Sequence, residues 1–198
     1  HVVNMMGTPY QHPFGQPVTI EDVNGSDTDT CIYVIARQAG ESADRKLKNY
    51  EYSLSDEEKA NLAMCAANYE KMIVVINVGS VFDMSFLDEI TGIGAVVYYA
   101  QQGMMGGKAF ADLISGKVSP SAKTVDTWPK KYGDIPFAMD YSYLNGDVDQ
   151  EYYREGIYVG YRYFDSYDVE PRYPFGYGLS YTDFSVEKEK VEVDGTKV

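Results

Sequence analysis

The chemistry in this sequence concentrates in one stretch, Arg37-Gln-Ala-Gly-Glu-Ser-Ala-Asp-Arg45. It holds a carboxylate preceded by a glycine, Gly40-Glu41, and an acid–base pair, Asp44-Arg45. Glycine permits a sharp turn that can project Glu41 away from the backbone. A glutamate so placed can act as a general acid when burial or a neighbouring carboxylate raises its pKa. The same residue types also suit a structural role, with Glu41 paired to Arg37 or Arg45 to hold the loop. Spacing alone leaves both readings open.

Other chemistries find little support. Gly103-Met-Met-Gly-Gly107 is glycine-rich ahead of a helical pattern, but neither G-x-G-x-x-G nor a Walker motif is present. No serine lies in a G-x-S-x-G elbow, and the two histidines, His1 and His12, sit in the first seventeen residues. A Ser-His-Asp triad would need His12 to fold back from there. Cys31 and Cys65 form no C-x-x-C pair and read as buried thiols. The acidic pairs Asp27, Asp29 and Asp147, Asp149 read as solvated turns. No metal site and no cofactor is expected. A net charge of -13 disfavours nucleic acid and anionic membrane surfaces as partners. No apolar run approaches the roughly 20 residues that span a bilayer. The chain begins with His1 rather than Met, so the missing signal peptide leaves the compartment undetermined.

The elements around this stretch must position it. Residues 1–17, with Pro13, Gly15 and Pro17, read as an incoming linker, and Val18 to Val23 as a short strand. Cys31 to Ala36, Met72 to Val78 and Ala95 to Ala100 are continuous apolar runs, the pattern of strands buried on both faces. Ser55 and Glu58 form a capping box that opens a helix running to about Tyr69, with Leu62, Ala66 and Tyr69 on one stripe. Phe82 to Glu89 reads as a short helix, and a further helix carries Ala109, Phe110, Leu113 and Ile114 before stopping at Gly116. Alternating strands and helices predict a three-layer α/β/α sandwich with a mostly parallel sheet over residues 18–179. Ligands of such sheets bind at the carboxyl ends of the strands, which directs attention to the loop after the first apolar run. Beyond Lys117 five prolines punctuate an irregular stretch, and residues 180–198 alternate like the first strand of a β-sandwich domain. Tyrosine reaches 19 residues, many of them in the last third, where they serve either as sugar-stacking platforms or as packing for irregular backbone.

These residues also carry a resemblance. Ala39-Gly-Glu-Ser-Ala-Asp-Arg45 followed by Tyr52-Ser-Leu-Ser-Asp-Glu57 resembles the acid/base loop of family 3 glycoside hydrolases, enzymes of the β-glucosidase type. Asn77-Val-Gly-Ser80 and the segment Gln102 to Lys123 are similar to later parts of that family's α/β domain. The most specific match is Tyr153-Arg-Glu-Gly-Ile-Tyr-Val-Gly-Tyr-Arg-Tyr-Phe-Asp165 with Pro174-Phe-Gly-Tyr-Gly-Leu-Ser-Tyr181. Two places depart from the pattern: Ala43 stands where many relatives carry an aromatic, and Ala122 to Trp128 differs from the usual Gly-Arg/Lys-Leu-Pro-x-Thr-Phe sequence.

The resemblance implies a retaining exo-acting β-glycosidase that uses no cofactor. Glu41 would be its general acid/base, with Arg45, Tyr50 and Tyr52 contacting the substrate. The nucleophile would come from a TIM-barrel domain of the same polypeptide, so this stretch alone is expected to be inactive. The substrate class implied is a β-linked oligosaccharide or an aryl or alkyl glycoside. Residues 180–198 resemble the start of a fibronectin type III-like domain. Two other readings stay in play: a non-catalytic carbohydrate-binding or scaffolding domain and, more remotely, a nucleotide-binding domain.

Overall fold

The computed structural model describes residues 2–3, 16–39, 45–47, 50–141, 144–147 and 149–196. Four strands form one sheet in the order β1-β2-β3-β4. β2 (Thr30–Arg37), β3 (Lys71–Val78) and β4 (Ala95–Tyr98) run parallel, while β1 (Val2–Val3) pairs antiparallel with Ile32 and Tyr33. Val2–Val3, inside the stretch read as a linker, is thus the antiparallel edge of the sheet. β2 and β3 pair along their whole lengths, from Thr30 opposite Lys71 to Arg37 opposite Val78. That register brings the carboxyl ends of both central strands to the same level.

The helices follow local signals. Thr19 caps α1 (Ile20–Gly25): its hydroxyl accepts from the Asp22 amide, and the Asp22 carboxylate accepts from the Thr19 amide. This capping box overrides the weak alternation that reads as a strand over Val18 to Val23. Ser55 and Glu58 cap α2 (Asp56–Asn68) as the sequence predicts. α2 buries Leu62, Cys65 and Ala66, and Tyr69 closes its carboxyl end. It forms the crossover between parallel strands β2 and β3 and packs on β3. α3 (Phe86–Glu89) sits in the β3–β4 connection and buries Phe86.

One core joins these parts, with Ile35, Leu62, Met72, Val74, Ile76 and Phe82 among its least exposed members. Cys31 and Cys65 meet in it as free thiols with no exposed surface. The strand over Ala95 to Tyr98 forms where expected but is not buried: Ala95, Val96 and Tyr98 are exposed. Among the described residues no strand pairs with its outer edge. α4 (Gly106–Ile114), amphipathic as expected, buries only Gly106.

The irregular stretch after Lys117 is tied down by backbone bonds between distant segments. Trp128 donates to the Tyr173 carbonyl at 2.8 Å, and Arg172 donates to the Trp128 carbonyl at 2.7 Å. Trp128 is buried and meets Tyr98 edge-on at 5.0 Å. α5 (Tyr161–Ser166) buries Phe164 nearby in sequence. Phe184, Val186, Val191 and Val193 are exposed, and among the described residues the alternating terminal stretch adds no strand to the sheet.

Candidate active site

A cavity of about 380 Å³ opens beside the carboxyl ends of the central strands. Ser80 and Val81, just past β3, form one wall with Arg45, Leu47 and Tyr52 from the loop after β2. The remaining walls come from Tyr132, Ile135, Pro136 and Ala138, together with Tyr141, Leu144 and Glu155. Its position follows the rule that ligands of parallel sheets bind beyond the strand carboxyl ends. Its size and its apolar, aromatic lining with a few polar groups are those of a small-molecule site.

Arg45 ties the loop to the neighbouring strand. Its Nη2 donates to Ser80 Oγ at 2.5 Å and to the Val81 carbonyl at 2.6 Å, and Nη1 donates to the Glu51 carbonyl at 3.4 Å. Desolvation by burial draws its pKa below the usual guanidinium value. The Tyr52 carbonyl accepts from the Asp83 amide at 2.9 Å, and its ring meets Tyr132 edge-on at 5.2 Å. Burial, then the Asp83 charge, raises the Tyr52 hydroxyl pKa, so the phenol stays neutral and available as a donor.

Arg37, the last residue of β2, holds the far end of the same loop. Its Nε donates to the Tyr50 carbonyl at 2.7 Å and Nη2 to the Ser53 carbonyl at 3.0 Å. Nη1 reaches the Ala36 carbonyl at 2.9 Å. Both Nη atoms pair with the Glu58 carboxylate, at 2.9 and 2.6 Å. The guanidinium also lies 5.3 Å from the Phe82 ring centroid.

Of the residues singled out by sequence, Arg45 and Tyr52 line the cavity. Tyr50 is not among the lining residues; it is half exposed, takes a left-handed φ of 59°, and contributes its carbonyl to Arg37. Glu41, with Asp44, lies outside the described residues. Tyr132, Tyr141 and Glu155 were not singled out as site residues. Tyr141 was signalled only by the tyrosine richness of the last third and Glu155 only by the resemblance over Tyr153 to Asp165, while Tyr132 had no signal. Among the described residues no cluster of three acidic, histidine or cysteine side chains could hold a metal ion.

A family model for the glycosyl hydrolase family 3 C-terminal domain matches residues 19–161. The chain belongs to glycosyl hydrolase family 3. Every residue lining the cavity falls inside the family 3 match. A beta-glucosidase from Ruminococcus albus is 44% identical over 168 residues, covering 84% of this chain and 17% of that protein. Beta-glucosidase A from Butyrivibrio fibrisolvens is 34% identical over 89% of this chain and 24% of that protein. Among solved structures, a beta-glucosidase from Paenibacillus barengoltzii superposes with a TM-score of 0.80 at 39% identity, covering 91% of this chain and 20% of that one. Beta-glucosidase 3B from Thermotoga neapolitana, in complex with glycerol, gives a TM-score of 0.78 at 33% identity, covering 90% of this chain and 26% of that one. The chain thus spans about a fifth of the length of these family 3 relatives, and the match carries its α/β fold with it.

Proposed function

We propose that this chain is the part of a retaining β-glycosidase, acting on β-glucosides, that supplies the general acid/base, and that Glu41 is that residue. Its observational support is the state of Arg37. All five of its N–H donors are directed to Ala36, Tyr50, Ser53 and Glu58, which leaves none to bind Glu41 in a purely structural pair. Arg45 donates to the neutral acceptors Glu51 O, Ser80 Oγ and Val81 O. Glu41 is four residues from each arginine, so covalent reach keeps it within about 14 Å of Arg45, a wall of the cavity.

On this reading Glu41 protonates the departing glycosidic oxygen while an aspartate of a separate barrel domain attacks the anomeric carbon. Glu41 then takes a proton from the water that releases the sugar from the covalent intermediate. The two carboxyl groups must approach to roughly 5 Å, so the barrel docks over the carboxyl ends of β2 and β3. The cavity receives the sugar or its leaving group, with Arg45 and Tyr52 as polar contacts and Tyr132 and Tyr141 as apolar faces. Tyr50 serves through its backbone rather than its ring. Without the barrel's nucleophile the 198 residues alone are inactive.

The test is hydrolysis of aryl and alkyl β-glucosides by the full-length polypeptide that carries this chain, comparing Glu41 with Glu41→Ala, with and without azide. Loss of rate on poor leaving groups, smaller loss on good ones and formation of a β-glycosyl azide are expected. An equal loss on every leaving group with no azide product would leave Glu41 a structural residue. Unchanged activity, with sugar binding to the isolated chain, would instead favour a carbohydrate-binding domain using exposed aromatics such as Tyr153.

A further inference from the structure

We infer that Arg37 is the positioning residue of this site: its guanidinium ties the Tyr50 to Ser53 end of the β2–α2 connection back to the end of β2, closing the base of the connection that carries the general acid. The inference rests on the reading of Glu41 above. Three observations carry it. Arg37 is both the end of β2 and the origin of the loop, so its side chain closes the loop on its own starting point by binding the carbonyls of Tyr50 and Ser53. Those carbonyls flank Tyr52, which lines the cavity, and the Tyr50 carbonyl is presented from a left-handed backbone that a non-glycine residue adopts only when held there. Finally, the clamp is itself fixed. Glu58 grips it with both carboxylate oxygens while also capping α2 through the Ser55 amide, and Phe82 lies under its face. The loop, the helix start and the turn after β3 therefore share one guanidinium, 14% exposed at the side chain.

The geometry has a chemical consequence. A general acid works only within hydrogen-bond reach of the leaving oxygen, and small misplacement is costly when bond cleavage needs the proton. A planar fork with five donors can hold two carbonyls and a carboxylate together, whereas the lysine ammonium is a single point with three donors. Loss of the clamp therefore weakens proton delivery more than it weakens binding. Substrates whose leaving groups depart without help are spared.

Arg37→Met, Arg37→Lys and Glu41→Ala are made in the full-length polypeptide and assayed on methyl, 4-nitrophenyl and 2,4-dinitrophenyl β-glucosides, with and without azide. For Arg37→Met we expect kcat/KM to fall about 10- to 100-fold on the methyl glucoside and by less than about threefold on the dinitrophenyl glucoside. KM should change little, and azide should raise turnover in part. Arg37→Lys keeps the charge beside Glu58 and is expected to lie between Met and wild type, which preserves the test if Arg37→Met does not fold. Equal losses on all three substrates, or no loss, in the folded variants overturn the positioning role. If Glu41→Ala shows azide rescue while the Arg37 variants show no leaving-group dependence, the clamp fails and the acid/base reading stands. If Glu41→Ala itself lacks both signatures, the acid/base reading fails first and the clamp falls with it.

Discussion

The hydroxyl pair Tyr69–Ser26 provides a sharp test of how this core is held. Tyr69 Oη donates to Ser26 Oγ at 3.0 Å, and Ser26 Oγ donates to the Val23 carbonyl at 2.7 Å. Tyr69 is 5% exposed and Ser26 2%, so water cannot replace either partner. Tyr69→Phe removes a donor but leaves Ser26 bonded to Val23, and a single net hydrogen bond is worth about 1 kcal/mol. Ser26→Ala instead strands the tyrosine hydroxyl in the core, a desolvated orphan that costs about 2 kcal/mol. The Val23 carbonyl keeps the Ser26 amide, at 3.2 Å, in all the variants. The double variant no longer strands the tyrosine hydroxyl, so its cost falls well below the sum of the single changes. Urea unfolding of the three variants, read as the shift in midpoint at constant m, measures these differences. If Ser26→Ala costs no more than Tyr69→Phe, or if the two add, the two hydroxyls are not coupled through their hydrogen bond and the reasoning fails.

Two further outcomes follow from the same packing. Burial raises the pKa of Tyr33, Tyr52 and Tyr69 above the ordinary tyrosine value of about 10. The unfolded chain then ionises first, so stability is full below about pH 10 and is lost as pH rises beyond it. A thermal midpoint that stays constant from pH 9 to about pH 11, measured by circular dichroism, would contradict that burial. Gly92 has a φ of +94°, and a Cβ there would lie 2.5 Å from the Ala66 carbonyl oxygen at the end of α2. Gly92→Ala should lower stability by about 1–3 kcal/mol, because the obstacle is backbone that cannot rotate away. An unshifted urea midpoint would show that the β3–β4 connection does not pack on α2 this closely.

Much of the framework was legible from local pattern. The apolar runs at Cys31 to Ala36 and Met72 to Val78 are strands because continuous branched side chains suit a two-faced buried sheet. Ser55 and Glu58 start α2 because reciprocal capping needs only residues three apart. The same signal at Thr19 and Asp22 was present but lost to a weak alternation. Local pattern failed where burial depends on neighbours. Ala95 to Tyr98 reads as a core strand, yet it lies at the edge of this sheet and is exposed.

The site divides in the same way. Sequence alone marked the loop after β2, because glycine, carboxylate and guanidinium at short spacing are a local signature, while Arg45, Tyr50 and Tyr52 were named by the resemblance to family 3 glycoside hydrolases. It could not tell which carboxylate Arg37 would take, since Glu41 stands four residues away in the chain and Glu58 twenty-one. Only the fold, by laying the first turn of α2 against the end of β2, brings Glu58 within 2.6 Å of the guanidinium. Likewise no periodicity links Tyr132, Tyr141 and Glu155 to Ser80, which share a wall only because irregular backbone returns to the strand ends. Local sequence determines hydrogen bonds and rotamers over a few residues. Which distant groups meet is decided by burial of the whole core, and the cavity is built from those meetings.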